Sequence, residues 1–232
     1  MTHPHVLIPV KSLTEGKSRL AAVLSRGERR HLVESLVRRT LALGCAFADP
    51  WRCAVVSPCA ETLEVANAYG VQTIEQRGAP GLNAGLTDAL TRLREEGAGD
   101  VLIVASDMPL LRLEDLAAVS RLGQSRQALV VGSDRHGMGT NLLFIPAHVS
   151  INLRFGEGSL GAHLLEAARA GCECTVHRSE TTGFDLDTPA DLTWLREAGH
   201  GAATPPAQGK PLLRQLRKMR RPAPTFAPKL ST

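Results

Sequence analysis

The sequence predicts a three-layer α/β domain on a mixed, mainly parallel β-sheet, and three observations carry that prediction. Short apolar runs such as H5-V-L-I-P-V10 and V101-L-I-V-A105 recur along the chain. Between most of them lie stretches with apolar residues at helical spacing. Glycines and prolines mark the joints. Strands and helices in alternation build a parallel sheet covered by helices on both faces.

Each element has its own signal. The run 5–10 reads as a central strand, followed by the polar loop K11-S-L-T-E-G-K-S-R19. S25-R-G-E28 is a capping box ahead of a helix with Leu32, Val33, Leu36, Val37 and Leu41 on its apolar face. C53-A-V-V-S57 is the next strand, and Ser57 and Pro58 are read as N-cap and first turn of a helix to about Tyr69. V71-Q-T-I-E75 is a strand. P80-G-L-N-A-G-L86 opens a helix with Leu82, Leu86, Leu90 and Leu93 on one face. The run 101–105 is apolar on both sides and predicts a buried strand. A helix over L113-E-D-L-A-A-V-S-R-L122 follows, then strands Q127-A-L-V-V-G132 and T140-N-L-L-F-I-P146 around a glycine-rich turn. The segment from Ser159 is helical, 173–178 is a strand, and T188-P-A-D191 caps a last helix to about Ala198. Because turns rather than helices separate the later strands, they are expected to form an antiparallel edge.

The 232 residues fit one domain (1–199) followed by a basic, Pro-rich tail (200–232). The tail holds seven Lys/Arg, six prolines and no acid. It is read as a loosely docked or disordered extension, with packing onto a partner subunit and polyanion binding as alternatives. Residues 1–199 carry 20 basic against 23 acidic groups, so the net charge of +4 describes the tail and no nucleic-acid partner is expected. The five cysteines form no C-x-x-C pair, which suits reduced thiols in a cytoplasmic protein. There is no apolar run of membrane-spanning length, and the start M1-T-H-P-H-V-L-I-P-V-K11 lacks a signal-peptide pattern.

Ligands of open α/β sheets bind beyond the carboxyl ends of the strands. The conspicuous polar residues fall there: Lys11, Lys17 and Arg19 after the first strand, Ser57 after the second, and Asp107 after 101–105. Asp134, Arg135, His136 and Thr140 lie in the glycine-rich turn, and Asp185 and Asp187 precede the last helix. Cations from one loop and carboxylates from two others suit a phosphorylated substrate bound with Mg²⁺, which takes oxygen ligands from one or two carboxylates and from phosphates. Each residue also has a plainer reading. Asp107 could cap a turn and Asp187 a helix, Lys17 and Arg19 could be a solvated patch, and His163 could be a core histidine. Asn83 could hydrogen-bond a nucleobase or cap the first turn of its helix. G-x-x-x-x-G-K-[ST] is absent, and so is G-x-G-x-x-G after the first strand, which disfavours P-loop and dinucleotide domains.

Taken in order, L7-I-P-V-K11, K17-S-R-L20, P80-G-L-N83, S106-D-M-P-L110, D134-R-H-G-M-G-T-N141, F155-G-E-G-S159 and D185-L-D-T-P189 resemble the 2-phospho-L-lactate guanylyltransferase family, which includes bacterial phosphoenolpyruvate guanylyltransferases. The resemblance spans about residues 6–198. It implies a nucleotidyltransferase fold, similar to glycosyltransferase type A domains, and a role in making a 5-deazaflavin coenzyme. It also implies transfer of GMP from GTP to a small phospho-acid: phosphoenolpyruvate, 2-phospho-L-lactate or 3-phospho-D-glycerate. By that resemblance Asp107 and Asp187, with Asp185 as a further candidate, would hold Mg²⁺. Thr140, Asn141, Gly156 and Ser159 would hold the acceptor, and Lys11, Lys17 and Arg19 would face the triphosphate. Gly81, Leu82 and Asn83, with Ser57, would lie at the nucleotide. A homodimer is compatible with this reading. Cytidylyl or sugar-phosphate nucleotidylyl transfer, and a non-catalytic nucleotide-binding scaffold, are the alternatives. The sequence departs from the family in Ser106, where Ala is frequent, and in the wording F184-D-L-D-T-P189; neither removes a proposed ligand.

Overall fold

In the computed structural model, which describes residues 3–198, seven strands form one sheet: β1 (His5–Pro9), β2 (Cys53–Ser57), β3 (Gln72–Glu75), β4 (Val101–Val104), β5 (Leu129–Ser133), β6 (Thr140–Ile145) and β7 (Cys174–His177). Their spatial order is β3-β2-β1-β4-β6-β5-β7. Every pairing is parallel except those of β6, which runs antiparallel to both β4 and β5. The expectation of an antiparallel edge is therefore corrected. The reversed strand is interior, and the edge strand β7 runs parallel to β5. The reason is local: the turn between β5 and β6 reverses the chain, so β6 fits between β5 and β4 as a hairpin partner. One consequence shapes the site. The amino end of β6, with Thr140 and Asn141, lies beside the carboxyl end of β4, where the Ala105 amide donates to the Asn141 carbonyl at 3.0 Å.

Alternation along the strands divides the core. Val6, Ile8, Leu102, Val104, Val130 and Phe144 face one layer, with helices α1 (Arg26–Ala48), α2 (Ala60–Asn67) and α4 (Leu113–Arg126). Leu7, Val56, Ile103, Val131 and Leu143 face the other, with α3 (Leu82–Glu95) and α5 (Ser159–Arg169). This is the period-2 geometry of a sheet covered on both faces. A smaller cluster joins Leu20, Leu32, Leu36, Phe184, Leu186 and Leu192. It pins the loop after β1 to the segment before the last helix. That segment contains the short α6 (Glu180–Gly183) and leads into α7 (Pro189–Ala198).

The Ser25 capping box forms as read: its Oγ accepts from the Glu28 amide and Glu28 accepts from the Ser25 amide. Thr188 and Asp191 make the reciprocal pair at α7. Ser57 does not cap a helix. It ends β2, fully buried, and α2 begins at Ala60 behind Cys59. Its Oγ instead accepts from the Cys59 amide at 3.1 Å, closing a hydroxyl turn that delays the helix. Leu82 is also corrected: it stands at the first turn of α3 with its side chain exposed, while Leu86 and Leu93 pack inward. No helix among the described residues is long and apolar enough to cross a membrane. The tail 200–232 lies outside the described residues.

One glycine gives a sharp test of the packing. A Cβ on Gly123 of α4 would meet the buried ring of Phe144 at 2.1 Å. Helix propensity alone would make Gly123→Ala stabilising by about 1 kcal/mol. The close contact reverses the sign, and urea unfolding should show a loss of about 1–3 kcal/mol, the cost of overpacking a dense core.

Candidate active site

Asp107 stands in the loop just past β4, and that loop is fixed from several sides. The Asp107 carbonyl accepts from the Leu186 amide at 3.1 Å. Buried Arg39 of α1 donates from Nε to the Pro109 carbonyl at 3.0 Å and from Nη2 to the Leu111 carbonyl. Sequence reading missed Arg39. A cation at a buried helix position is its signal, but a loop carbonyl as the partner is invisible in sequence.

Lys17 sits at the N-cap of a 3₁₀ turn (Ser18–Ala22) in the left-handed conformation, φ 57°. Buried Leu20, one turn on, anchors this loop. The Lys17 ammonium donates to Asp107 Oδ2 at 2.7 Å and to Asp187 Oδ1 at 2.6 Å. Its side chain is only 9% exposed. Burial works to lower its pKa, but the charges of Asp107 and Asp187 and their hydrogen bonds outweigh burial and hold it above the ordinary lysine value. Arg19 is exposed, with Nη1 3.9 Å from Asp187 Oδ2. The solvated-patch reading therefore fails for Lys17 and keeps some force for Arg19.

Asp187 does not cap α7. Its amide donates to Asp191 Oδ2 at 2.9 Å, as does the Thr188 amide at 2.6 Å. Asp191 is buried and pairs with Arg135, whose guanidinium lies over the Phe184 ring at 4.7 Å. The Asp191 carboxylate thus orients the Asp187 backbone and leaves the Asp187 side chain to the site. Asp185 Oδ1 is buried with no hydrogen-bond partner, and its carboxylate lies within electrostatic reach of Asp107 and Asp187. Burial, reinforced by the charges of Asp107 and Asp187, raises its pKa. Among the described residues no three acidic, His or Cys side chains gather closely enough to hold an ion alone. Two carboxylates meeting at one cation, with an unpartnered carboxylate oxygen nearby in sequence, nonetheless fit Mg²⁺, which takes its remaining oxygens from phosphate and water.

The second half of the site lies around the amino end of β6. Thr140 Oγ1 is 3.0 Å from His163 Nδ1, and His163 Nε2 accepts from the Arg154 amide at 3.0 Å. Gly156 adopts φ 127°, open to glycine and strained for other residues. Its carbonyl accepts from the amide of buried Ser159 at 3.2 Å. Asn141 is committed structurally: its Nδ2 donates to the Thr182 carbonyl at 3.0 Å. Asp134 accepts from the Met138 amide at 2.8 Å and so shapes the β5–β6 turn.

The expected nucleotide contacts divide. Asn83 is engaged by the protein itself: Oδ1 accepts from the Phe155 amide at 2.7 Å and Nδ2 donates to the Phe155 carbonyl at 2.9 Å, leaving one donor hydrogen and one acceptor lone pair. That paired contact clamps the first turn of α3 to the F155-G-E-G turn. Gly81 precedes α3 with φ 114°, and its carbonyl, like that of Ala79, accepts from Gln76 Nε2. Gln76 was not anticipated; its side-chain amide lies against Gly85, where a Cβ would meet Oε1 at 2.6 Å and displace the side chain from this position. Lys11 is exposed past the end of β1, with its carbonyl accepting from Ser57 Oγ at 3.4 Å.

A family model described as "Guanylyl transferase CofC like" matches residues 4–223, further than the 6–198 spanned by the motifs. The phosphoenolpyruvate guanylyltransferase of Rubrobacter xylanophilus is 37% identical over 193 residues, covering 83% of this chain and 93% of that one. The 2-phospho-L-lactate guanylyltransferase of Methanocaldococcus infernus is 31% identical, covering 86% and 88%. Among solved structures, a nucleotide-diphospho-sugar transferase from Desulfovibrio desulfuricans G20 superposes with TM-score 0.75 at 19% identity, over 94% of this chain and 99% of that one. The predicted α/β nucleotidyltransferase fold is therefore the observed one.

Proposed function

The chain belongs to the CofC-like guanylyl transferase family, and from that premise we propose that it transfers GMP from GTP to the phosphate of a small phosphorylated carboxylic acid in deazaflavin coenzyme biosynthesis. One observation carries the chemical reading: Asp107 and Asp187, 80 positions apart in the chain, converge on the Lys17 ammonium at the strand ends. Mg²⁺ held by these two carboxylates would offset charge on the phosphates and on the leaving diphosphate.

The protein's own residues supply position and charge. Lys17 and Arg19 face the triphosphate, and Lys11, exposed past the end of β1, adds a further cation for it. Gly81 and Leu82 border the nucleotide, with exposed Leu82 offering an apolar surface to the base. Thr140, Gly156 and Ser159 take the acceptor's carboxylate and phosphate. An acceptor phosphate oxygen attacks the α-phosphorus in line, the bond from that phosphorus to the bridging oxygen breaks, and diphosphate leaves with the electron pair. No general base is required, because a phosphate with second pKa near 6 is already largely ionised at neutral pH. Phosphoenolpyruvate leads as acceptor because the relative of highest identity given above carries that name. Five unpaired cysteines and a nucleotide substrate suit the cytoplasm.

The test is incubation with Mg²⁺, GTP or CTP, and each of phosphoenolpyruvate, 2-phospho-L-lactate and 3-phospho-D-glycerate, with mass detection of the diphosphate-linked product. Product with GTP and phosphoenolpyruvate is expected. No product with GTP and any of the three acids, or product with CTP alone, overturns the reading.

A further inference from the structure

We propose that His163 is a positioning residue that fixes the Thr140 hydroxyl as a hydrogen-bond donor aimed at the anionic acceptor. The proposal rests on the reading that Thr140 touches that acceptor.

The geometry determines where the protons lie. His163 is fully buried in α5, one turn past Ser159, and both ring nitrogens are engaged. Nε2 lies 3.0 Å from the Arg154 amide, which can only donate, so Nε2 carries no hydrogen. The neutral ring then holds its proton on Nδ1, which faces Thr140 Oγ1 at 3.0 Å. Nδ1–H donates and Oγ1 accepts. The threonine's own hydrogen cannot return to the ring and is left for another acceptor. Thr140 stands at the amino end of β6, at the mouth of the sheet, where an anionic oxygen would take it. A hydroxyl that already accepts a hydrogen bond is also polarised into a stronger donor.

The same imidazole joins the other pieces of the acceptor site. The amide it receives belongs to the residue before Phe155, whose ring packs edge-on at 5.0 Å and whose backbone Asn83 clamps. That segment leads directly into Gly156. Burial lowers the ring's pKa to about 4, so the ring is neutral at physiological pH. A core histidine needs only burial and satisfied nitrogens. Here Thr140, the Arg154 amide and the Ser159 backbone that also hydrogen-bonds the ring belong to one substrate-binding unit, and the contacts with Thr140 and Arg154 leave the Thr140 hydrogen for an anion.

Two measurements test this. Nitrogen-15 NMR of the wild-type protein at pH 7 should show His163 as the neutral, Nδ1-protonated tautomer; the Nε2-protonated tautomer overturns the proposal. Steady-state kinetics of Thr140→Val, Thr140→Ser, His163→Phe and His163→Asn supply the second readout. A hydrogen bond to a charged group contributes about 1.5–3 kcal/mol, so its loss should raise the acceptor KM roughly 10- to 100-fold. Thr140→Val and His163→Phe should both show that rise with the GTP KM nearly unchanged. Thr140→Ser, which keeps the hydroxyl, should raise the acceptor KM less than Thr140→Val, and His163→Asn, with an amide donor near the place of Nδ1, should recover most of the affinity that His163→Phe loses. If Thr140→Val leaves the acceptor KM unchanged, the placement of Thr140 at the acceptor fails. If Thr140→Val raises it and His163→Phe does not, the role given to His163 fails. Should His163→Phe not fold, an acceptor KM for His163→Asn as high as that of Thr140→Val overturns the proposal, and a value well below that supports it.

Discussion

Asp107→Asn should lower turnover roughly 10²- to 10³-fold, the scale of losing one preorganised electrostatic contact to a transition state, while leaving the fold in place. The two halves of that expectation rest on different atoms. The backbone of Asp107 receives the Leu186 amide, and asparagine keeps that bond. An asparagine Oδ1 can still accept from Lys17, so the loop should hold its shape. Only the negative charge is lost. With the Asp107 side chain about one-third exposed, the lost ion pair should cost about 1 kcal/mol or less in stability. Kinetics with GTP and phosphoenolpyruvate across a Mg²⁺ titration, set beside urea unfolding of both proteins, separate the two effects. Near-wild-type turnover at saturating Mg²⁺ would sink the assignment of Asp107 to the metal.

How much of this was legible in the sequence depends on the range of each interaction. Strand 101–105 and the Ser25 capping box are local facts, written in a few adjacent residues, and both appear as read. The convergence of Asp107 with Asp187 is not local. It became readable because strand ends in α/β sheets share one edge, a rule about topology that needs only the strands to be right. What the reading did not see lies where a polar side chain has more than one partner. Asn83 has the hydrogen-bonding groups to meet a base, and its amide also meets the Phe155 backbone 72 positions away, which nothing near Asn83 announces. Ser57 followed by proline has the composition of a helix start. β2 instead runs on to pair Ser57 with Glu75, and sheet pairing overrides the local signal. The interior place of β6 was missed because a turn-linked strand pair has two sides on which to add, and sequence spacing does not distinguish them.

Lys17→Met should cost both activity and stability, and the pH dependence of the stability loss identifies its origin. The ammonium makes two short charge-assisted hydrogen bonds, and the carboxylates that receive them are one-third and two-fifths exposed. Breaking a fully buried pair costs about 3–5 kcal/mol. Here water can reach the orphaned carboxylates, so a loss of roughly 1–3 kcal/mol is expected. The folded-state pKa of Lys17 lies above the ordinary value of 10.5, so its contribution is complete below pH 10.5 and disappears as the pH rises through the folded value. The gap in Tm between wild type and variant should therefore be flat from pH 7 to about pH 10 and close only at higher pH. A gap that already narrows near neutrality would mean that some other group carries the effect. Turnover should fall by about 10²-fold or more, since the same ammonium is assigned to the triphosphate. Metal titration adds a sign that a mere packing defect cannot reproduce. In the nucleotide-free wild type, Lys17 neutralises the two carboxylates to which Mg²⁺ is assigned, so ammonium and Mg²⁺ compete. Removing the ammonium should make added Mg²⁺ raise the Tm of the variant more than that of wild type, in proportion to tighter binding. Equal shifts in the two proteins would show that the ion binds elsewhere, and that Asp107 and Asp187 serve the lysine alone.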